Sequence, residues 1–192
     1  MNETNELALA GCCGLYCGLC PRYQSTAPSR CLSCHLGEQH SYCSVWRCCV
    51  EKRDLHTCAD CEEFPCDRLI RVLGVEEGLD SFVSHKPALP NLERIREVGL
   101  PTFLSEQRRR RLLVEALLAD YNEGRSMSFY CRATALMRPE LISQAREEVQ
   151  RLEGSGEVHG SKPKDRARAM RTAIQDLAER AGIDINLRRA KK

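Results

Sequence analysis

Ten cysteines between residues 13 and 66 stand at spacings suited to gripping a soft metal ion. Three C-x-x-C pairs are present, Cys17/Cys20, Cys31/Cys34 and Cys58/Cys61. Two intervening residues let both thiolates turn toward one ion at about 2.3 Å when the loop forms a tight knuckle. Cys13 lies four residues before Cys17, Cys43 and Cys48 are five apart, and Cys66 follows Cys61 by five, so each is placed to complete a site. Tetrahedral zinc takes four ligands. The ten thiolates therefore fill two sites with two left over, or three sites if two of His35, His40 and His56 join, and two or three zinc ions are expected. Short loops favour Cys17, Cys20, Cys31 and Cys34 as one centre and Cys43, Cys48, Cys58 and Cys61 as another, with Cys13 and Cys66 exchangeable.

Iron and sulfide compete for the same thiolates. Cys13-x-x-x-Cys17-x-x-Cys20 has the cluster spacing of radical-SAM enzymes, and "CP" at Cys20 and Pro21 has a counterpart in ferredoxins. The strand and helix succession of a radical-SAM barrel is missing, as is the ferredoxin run of consecutive C-x-x-C steps. An exchange-active dithiol needs a thioredoxin-like βαβ context, also missing. Of the remaining cysteines, Cys12 and Cys49 each adjoin another cysteine and are expected to be spare, because adjacent residues rarely reach one ion; Cys131 is expected to be a buried filler in a helix.

The elements that must position these residues divide unevenly. Twelve of the thirteen cysteines lie between Cys12 and Cys66, in a segment where no apolar period persists, so it is expected to be loop-rich and ordered by its cysteines. Two short helices are expected inside or beside it, in "SVWRCCVEK" and in "FPCDRLIRVLG" with Pro65 near the first turn and Gly74 at the end. Beyond "HKPALPN" the pattern turns helical: "NLERIREVG" with Asn91 as N-cap and Gly99 as stop, and a long helix in "TFLSEQRRRRLLVEALLADYNEG" with Phe103, Leu104, Leu112, Leu113, Ala116, Leu117 and Tyr121 mostly on one side. Further helices follow in "SMSFYCRATALM", in "PELISQAREEVQRLEG" with Pro139 at N1, and in "KDRARAMRTAIQDLAERAGI", whose stripe is the cleanest. The expected class is mainly α: a small loop-rich, metal-stabilised N-terminal region, residues 1–85, followed by a helical, bundle-like region, 86–192, with a flexible loop near 154–163. The tail alternates Ile183, Ile185 and Leu187, the pattern of a short strand.

Composition narrows the setting. The opening residues carry no basic n-region and no long apolar run, and no stretch of about 18 apolar residues occurs, so a cytoplasmic, reducing location and no membrane partner are expected. There disulfides are rare, and an odd total of thirteen cysteines disfavours full pairing. The net charge is +2, with 10 basic and 14 acidic residues in 1–100 against 19 and 13 in 101–192. That asymmetry is too modest to predict a nucleic-acid partner by itself. Burial alone in so apolar-poor a cysteine segment does not offset about 1 to 2 kcal/mol of backbone ordering per residue, whereas a structural zinc contributes roughly 10 kcal/mol or more.

The stretches "CGLYCGLCPRY", "CLSCH", "CSVWRCCVEK", "CADCEEFPCDRL", "NLERIREVG" and "GRSMSFYCRATALM" together resemble the prokaryotic cysteine-rich proteins classed as domain of unknown function 3795. The resemblance covers most of the chain. It implies recurring cysteines at Cys13, Cys17, Cys20, Cys31, Cys34, Cys43, Cys48, Cys58, Cys61 and Cys66, with Cys12 and Cys49 outside the pattern. It supports metal binding and supplies no reaction.

The other features weigh less. Arg108 to Arg111 form a collar round a helix, since consecutive residues stand about 100° apart. Trp46, Tyr16, Tyr23 and Tyr130 are expected to pack, Trp46 over the thiols. No acid and base pair, phosphate-binding glycine loop or triad names a catalytic mechanism. The expected function is a metal-binding protein with mainly structural zinc, whose helical region supports or presents a protein-binding surface. The alternatives are an iron–sulfur protein in electron transfer or redox sensing, and a nucleic-acid-binding regulator using the arginine-rich helices.

Overall fold

The computed structural model describes residues 6–36, 40–74, 78–155 and 162–189. The chain is mainly α, 62% helical, with no strand among the described residues. No described helix is long and apolar enough to cross a membrane. Two compact units are present: Met1–Arg111 with Leu187–Lys192, and Leu112–Asn186.

The first unit holds the cysteine-rich segment. Its regular pieces are short: 3-10 turns at Cys17–Leu19 and Cys58–Asp60, α1 (Pro21–Gln24), α2 (Ser44–Trp46) running into a π-helical stretch (Arg47–Lys52), and α3 (Asp67–Leu73). Thr57 caps the second turn by accepting from Ala59 N–H. Gly74, in the left-handed region at φ 56°, ends α3 as the sequence suggests, while Pro65 stays ahead of that helix. α4 (Ala88–Val98) and the first half of α5 (Leu100–Tyr121) complete the unit. Its core gathers Leu9, Leu19, Leu69, Leu73, Leu92 and Phe103. Tyr16 stacks on Phe103 at 6.4 Å, and Arg110 covers the outer face of Tyr16 at 5.6 Å. Arg108 pairs with Glu6, so two members of the arginine run point to separate partners, as a collar requires.

The compositional boundary at 85/86 falls inside this unit because α4 packs on the cysteine-rich segment. Asn91 does not cap α4. The helix starts at Ala88, with Pro90 tolerated in its first turn, and buried Asn91 donates from Nδ2 to Gly14 O at 2.8 Å. The tail does not form a strand. Arg188 instead donates to Asp80 Oδ1 from Nε at 3.2 Å and from Nη2 at 3.1 Å, to Gly74 O from Nη1 at 2.8 Å, and through its backbone N–H to Asp80 Oδ2 at 2.8 Å.

The second unit contains the end of α5, α6 (Met127–Leu136), α7 (Pro139–Gly154) and α8 (Pro163–Arg180). Pro139 and Pro163 stand at the first helical positions of α7 and α8, where a missing N–H costs nothing. α7 buries Ile142, Ala145 and Val149, and α8 buries Ala167, Met170, Ala173, Ile174, Leu177 and Ala178. These two stripes form the most extensive helix pairing. α5 departs from the expected stripe: Leu112 is 55% exposed, while Val114 is fully buried. Gln107, Val114, Leu117 and Tyr121 form the buried line, and Leu112, five residues from both Gln107 and Leu117, lies about 140° round the helix from it. Most of the loop expected at 154–163 falls on residues 156–161, outside the described residues.

The hydroxyl of fully buried Tyr130 donates across three helices, to Tyr121 O at 3.1 Å and Ala167 O at 3.4 Å. Tyr130→Phe keeps the packing and removes this donor. It is expected to lower stability by about 1 kcal/mol, read as a shift of the urea midpoint with an unchanged slope; a midpoint equal to wild type contradicts this role.

Candidate metal centre

Among the described residues, no group of three or more His, Cys, Asp or Glu side chains stands in an arrangement that holds an ion as placed. None of the thirteen cysteines is joined in a disulfide. They nevertheless fall into neighbourhoods.

The first neighbourhood joins Cys13, Cys17 and Cys34. Gly11 makes room for it: a Cβ there would come within 3.3 Å of Cys17 Sγ and 3.4 Å of Cys13 Sγ. Burial pushes the Cys13 thiol up to about 12, and negative charge on Cys34 or, more weakly, Cys43 would push the same way. Cys17 is raised for the same first reason, with Cys34, Cys13 and Cys20 adding to it and buried Ser33 opposing. Cys13 thus stands beside Cys17 at the Gly11 cradle, and a charge on it also bears on Cys58.

Cys20 and Cys31 form a second pair, with a charge on Cys31 opposing ionisation of Cys20 after burial has already raised it. His40 Nε2 lies 3.2 Å from Cys31 Sγ, and burial keeps this ring toward its neutral form. Of the three histidines considered from sequence, His40 has this direct thiol contact. His35 is held low by burial.

The third neighbourhood surrounds a cavity. Cys48, Cys49, Cys58, Cys61 and Cys66 line this small space of about 20 Å³. The π-helical stretch brings Cys48, the 3-10 turn brings Cys58 and Cys61 together, and the N-cap of α3 brings Cys66. Arg53 sits at the rim, donating from Nη1 to Cys61 Sγ at 3.5 Å while paired with Glu63 at 2.6 Å. Cys66 therefore shares this cavity with Cys58 and Cys61, and Val45 lines its wall.

Cys12 and Cys49 are buried, at 2% and 3% exposure. That burial suits small apolar side chains set apart from the ten candidates. Cys12 N–H donates to Cys34 Sγ at 3.4 Å. The Cys12 thiol is pushed up and that of Cys34 drawn down by the hydrogen bond between them. Hydrogen bonds from Cys12 and Cys58 draw Cys49 down in turn, and the one it shares with Cys58 pushes Cys58 up. Cys49 Sγ also donates to Leu55 O at 3.5 Å, which holds it in the wall of the cavity. The adjacent pairs Cys12/Cys13 and Cys48/Cys49 were the available sequence signal, since neighbouring side chains diverge and one member of each pair reaches into the core. Cys131, 1% exposed in α6, lies outside this segment as expected.

The donor set suits a thiophilic cation: soft sulfur ligands in threes and fours, with one imidazole. Two sulfurs gather at the Gly11 cradle, and five cysteines share the cavity. Compared with known proteins, the chain matches no family model, no curated protein and no solved structure.

Proposed function

We propose that this chain is a cytoplasmic metal-binding protein, related to the cysteine-rich family it resembles, in which zinc organises the N-terminal unit and the helical unit carries a binding surface. The observation that carries the reading is the lining of one small cavity by Cys48, Cys58, Cys61 and Cys66, drawn from three separate local elements, with buried Cys49 also in its wall. These four would hold one ion. Cys13, Cys17 and Cys34 with Cys43 would hold a second, and Cys20, Cys31 and His40 supply donors for a third. Bound zinc would supply crosslinking: it ties thiolates from distant loops where regular structure is scarce, and no reaction is assigned to it.

Arg53 and the buried thiols Cys12 and Cys49 then act as supports. The arginine donates to a ligand sulfur, and the buried pair fixes the backbone from which ligands project. Elemental analysis of protein purified under reducing conditions is expected to find two or three zinc ions per chain. Cys61→Ser with Cys66→Ser is expected to lower that count by about one. Strong chelation is expected to collapse the far-ultraviolet signal of the cysteine-rich unit. Iron with acid-labile sulfide in place of zinc, or no metal together with a fold indifferent to chelator, overturns the zinc reading.

A further inference from the structure

The second unit contains an open groove of about 670 Å³ between the loop after α5 and the outer face of α8. Arg125, Lys164, Arg168 and Arg171 line it against a single carboxylate, Glu123. All four cations are exposed. Glu123 is held below the usual carboxylate range by its neighbours, Ser126 first and the cations Arg171 and Arg125 after it. Arg171 also lies over the Phe129 ring at 5.4 Å, which fixes its position. Lys164 and Arg168 have no acidic partner within 4 Å among the described residues, so their charge is directed to solvent.

Lys164, Arg168, Arg171 and the lining amide Gln175 follow one another at intervals of four, three and four residues, which is one face of a helix. The row is about 16 Å long, with steps of about 4.5 to 6 Å between side chains. We propose that this row docks the sugar–phosphate backbone of a nucleic acid, without reading its sequence. Three features select that occupant. The cations stand in a line, which suits repeated phosphates more than one compact anion. The groove is open, whereas a site for a small phosphorylated ligand buries most of that ligand. No aromatic side chain lines it, so bases find nothing to stack on, and contact is confined to phosphate oxygens. Thr172 and Gln175 add neutral hydrogen-bonding groups suited to the same oxygens.

The inference goes beyond the metal reading and does not rest on it, because the groove lies wholly within Leu112–Asn186 and the ten candidate thiol ligands lie outside that unit. Fluorescence anisotropy of the full chain with a short mixed-sequence DNA duplex, and with its single strand, tests it. Both probes are expected to bind at low salt, with log affinity falling against log salt at a slope of about −3 to −4 on the duplex. Lys164→Glu with Arg168→Glu changes two exposed residues with no acidic partner, so the fold is expected to survive, as circular dichroism will show. In that variant affinity is expected to fall about tenfold or more near 50 mM salt and the slope to drop by about 2. No salt-sensitive binding to either probe overturns the proposal. So does binding that survives the double substitution, or binding confined to inorganic pyrophosphate used as a competitor.

Discussion

Gly14→Ala is expected to unfold the cysteine-rich unit or bring it to the edge of unfolding, at a cost on the order of 4 kcal/mol or more. Two penalties combine. Gly14 stands at φ +83°, a left-handed conformation that costs an alanine about 1 to 2 kcal/mol. The added Cβ would also lie 2.1 Å from Ala88 O and 2.8 Å from Leu92 Cγ. Leu92 can rotate only against the packed core, and Ala88 O is backbone, so α4 as a whole must retreat. Retreat strains the bond from Asn91 Nδ2 to Gly14 O and opens space around Leu92, both of them buried. Gly124→Ala supplies the comparison: φ is +95° but nothing lies within 4 Å of the added atom, so only the conformational cost of about 1 kcal/mol is expected there. Urea unfolding of the three proteins separates the penalties. A Gly14→Ala protein as stable as Gly124→Ala would show that α4 is not held against this turn.

Arg188→Ala is expected to cost about 3 to 5 kcal/mol near neutral pH, because it strands a carboxylate whose side chain is fully buried. Burial by itself raises the Asp80 carboxyl. The donations from His85 N–H, Arg188 N–H and the Arg188 guanidinium together overcome that effect and hold it below its ordinary range. The sign follows. A carboxyl depressed on folding contributes stability that is fully present above its unfolded value of about 3.9 and is lost as pH falls through the folded value. Wild type is therefore expected to lose stability toward acid. The gap between wild type and Arg188→Ala is expected to narrow there, since Asp80 is neutral in both. Arg188→Lys restores charge without the fork and should recover only part of the loss. A gap that stays constant from neutral to acid pH would locate the role of Arg188 in its bonds to Gly74 O and Leu73 O, apart from Asp80.

Local signals made much of this fold legible. Pro139 and Pro163 mark the starts of α7 and α8, Gly74 marks the end of α3, and the α8 stripe from Ala167 to Ala178 is buried as its spacing suggests. What local signals miss are partners far along the chain. Asn91 has the side chain of a cap, but its acceptor is Gly14, 77 residues away, and nothing near residue 91 announces it. Ile183, Ile185 and Leu187 alternate like a strand, yet the tail is placed by Arg188 at a carboxylate 108 residues back. The site divides the same way. Cysteine identity and C-x-x-C spacing name the ten candidates, while their grouping depends on how loops fold over one another. That folding puts Cys13 beside Cys34 and Cys66 in the cavity with Cys48. Cys12 and Cys49 look redundant because adjacent residues cannot share an ion, although divergence of adjacent side chains is what sends each of them inward.

The return of the tail to Asp80 has a consequence for how the chain is made. Asp80 emerges early in synthesis, and its partner comes 108 residues later, which at about 5 to 20 residues per second is a wait of about 5 to 20 s. For that interval the nascent cysteine-rich unit holds a carboxylate without its guanidinium, while all ten candidate ligands have already been translated. All ten candidate thiols are therefore present on the ribosome-bound chain before the Asp80–Arg188 pair can close, so the cysteine-rich segment is complete in the order of biosynthesis while its last tie to the tail is still missing.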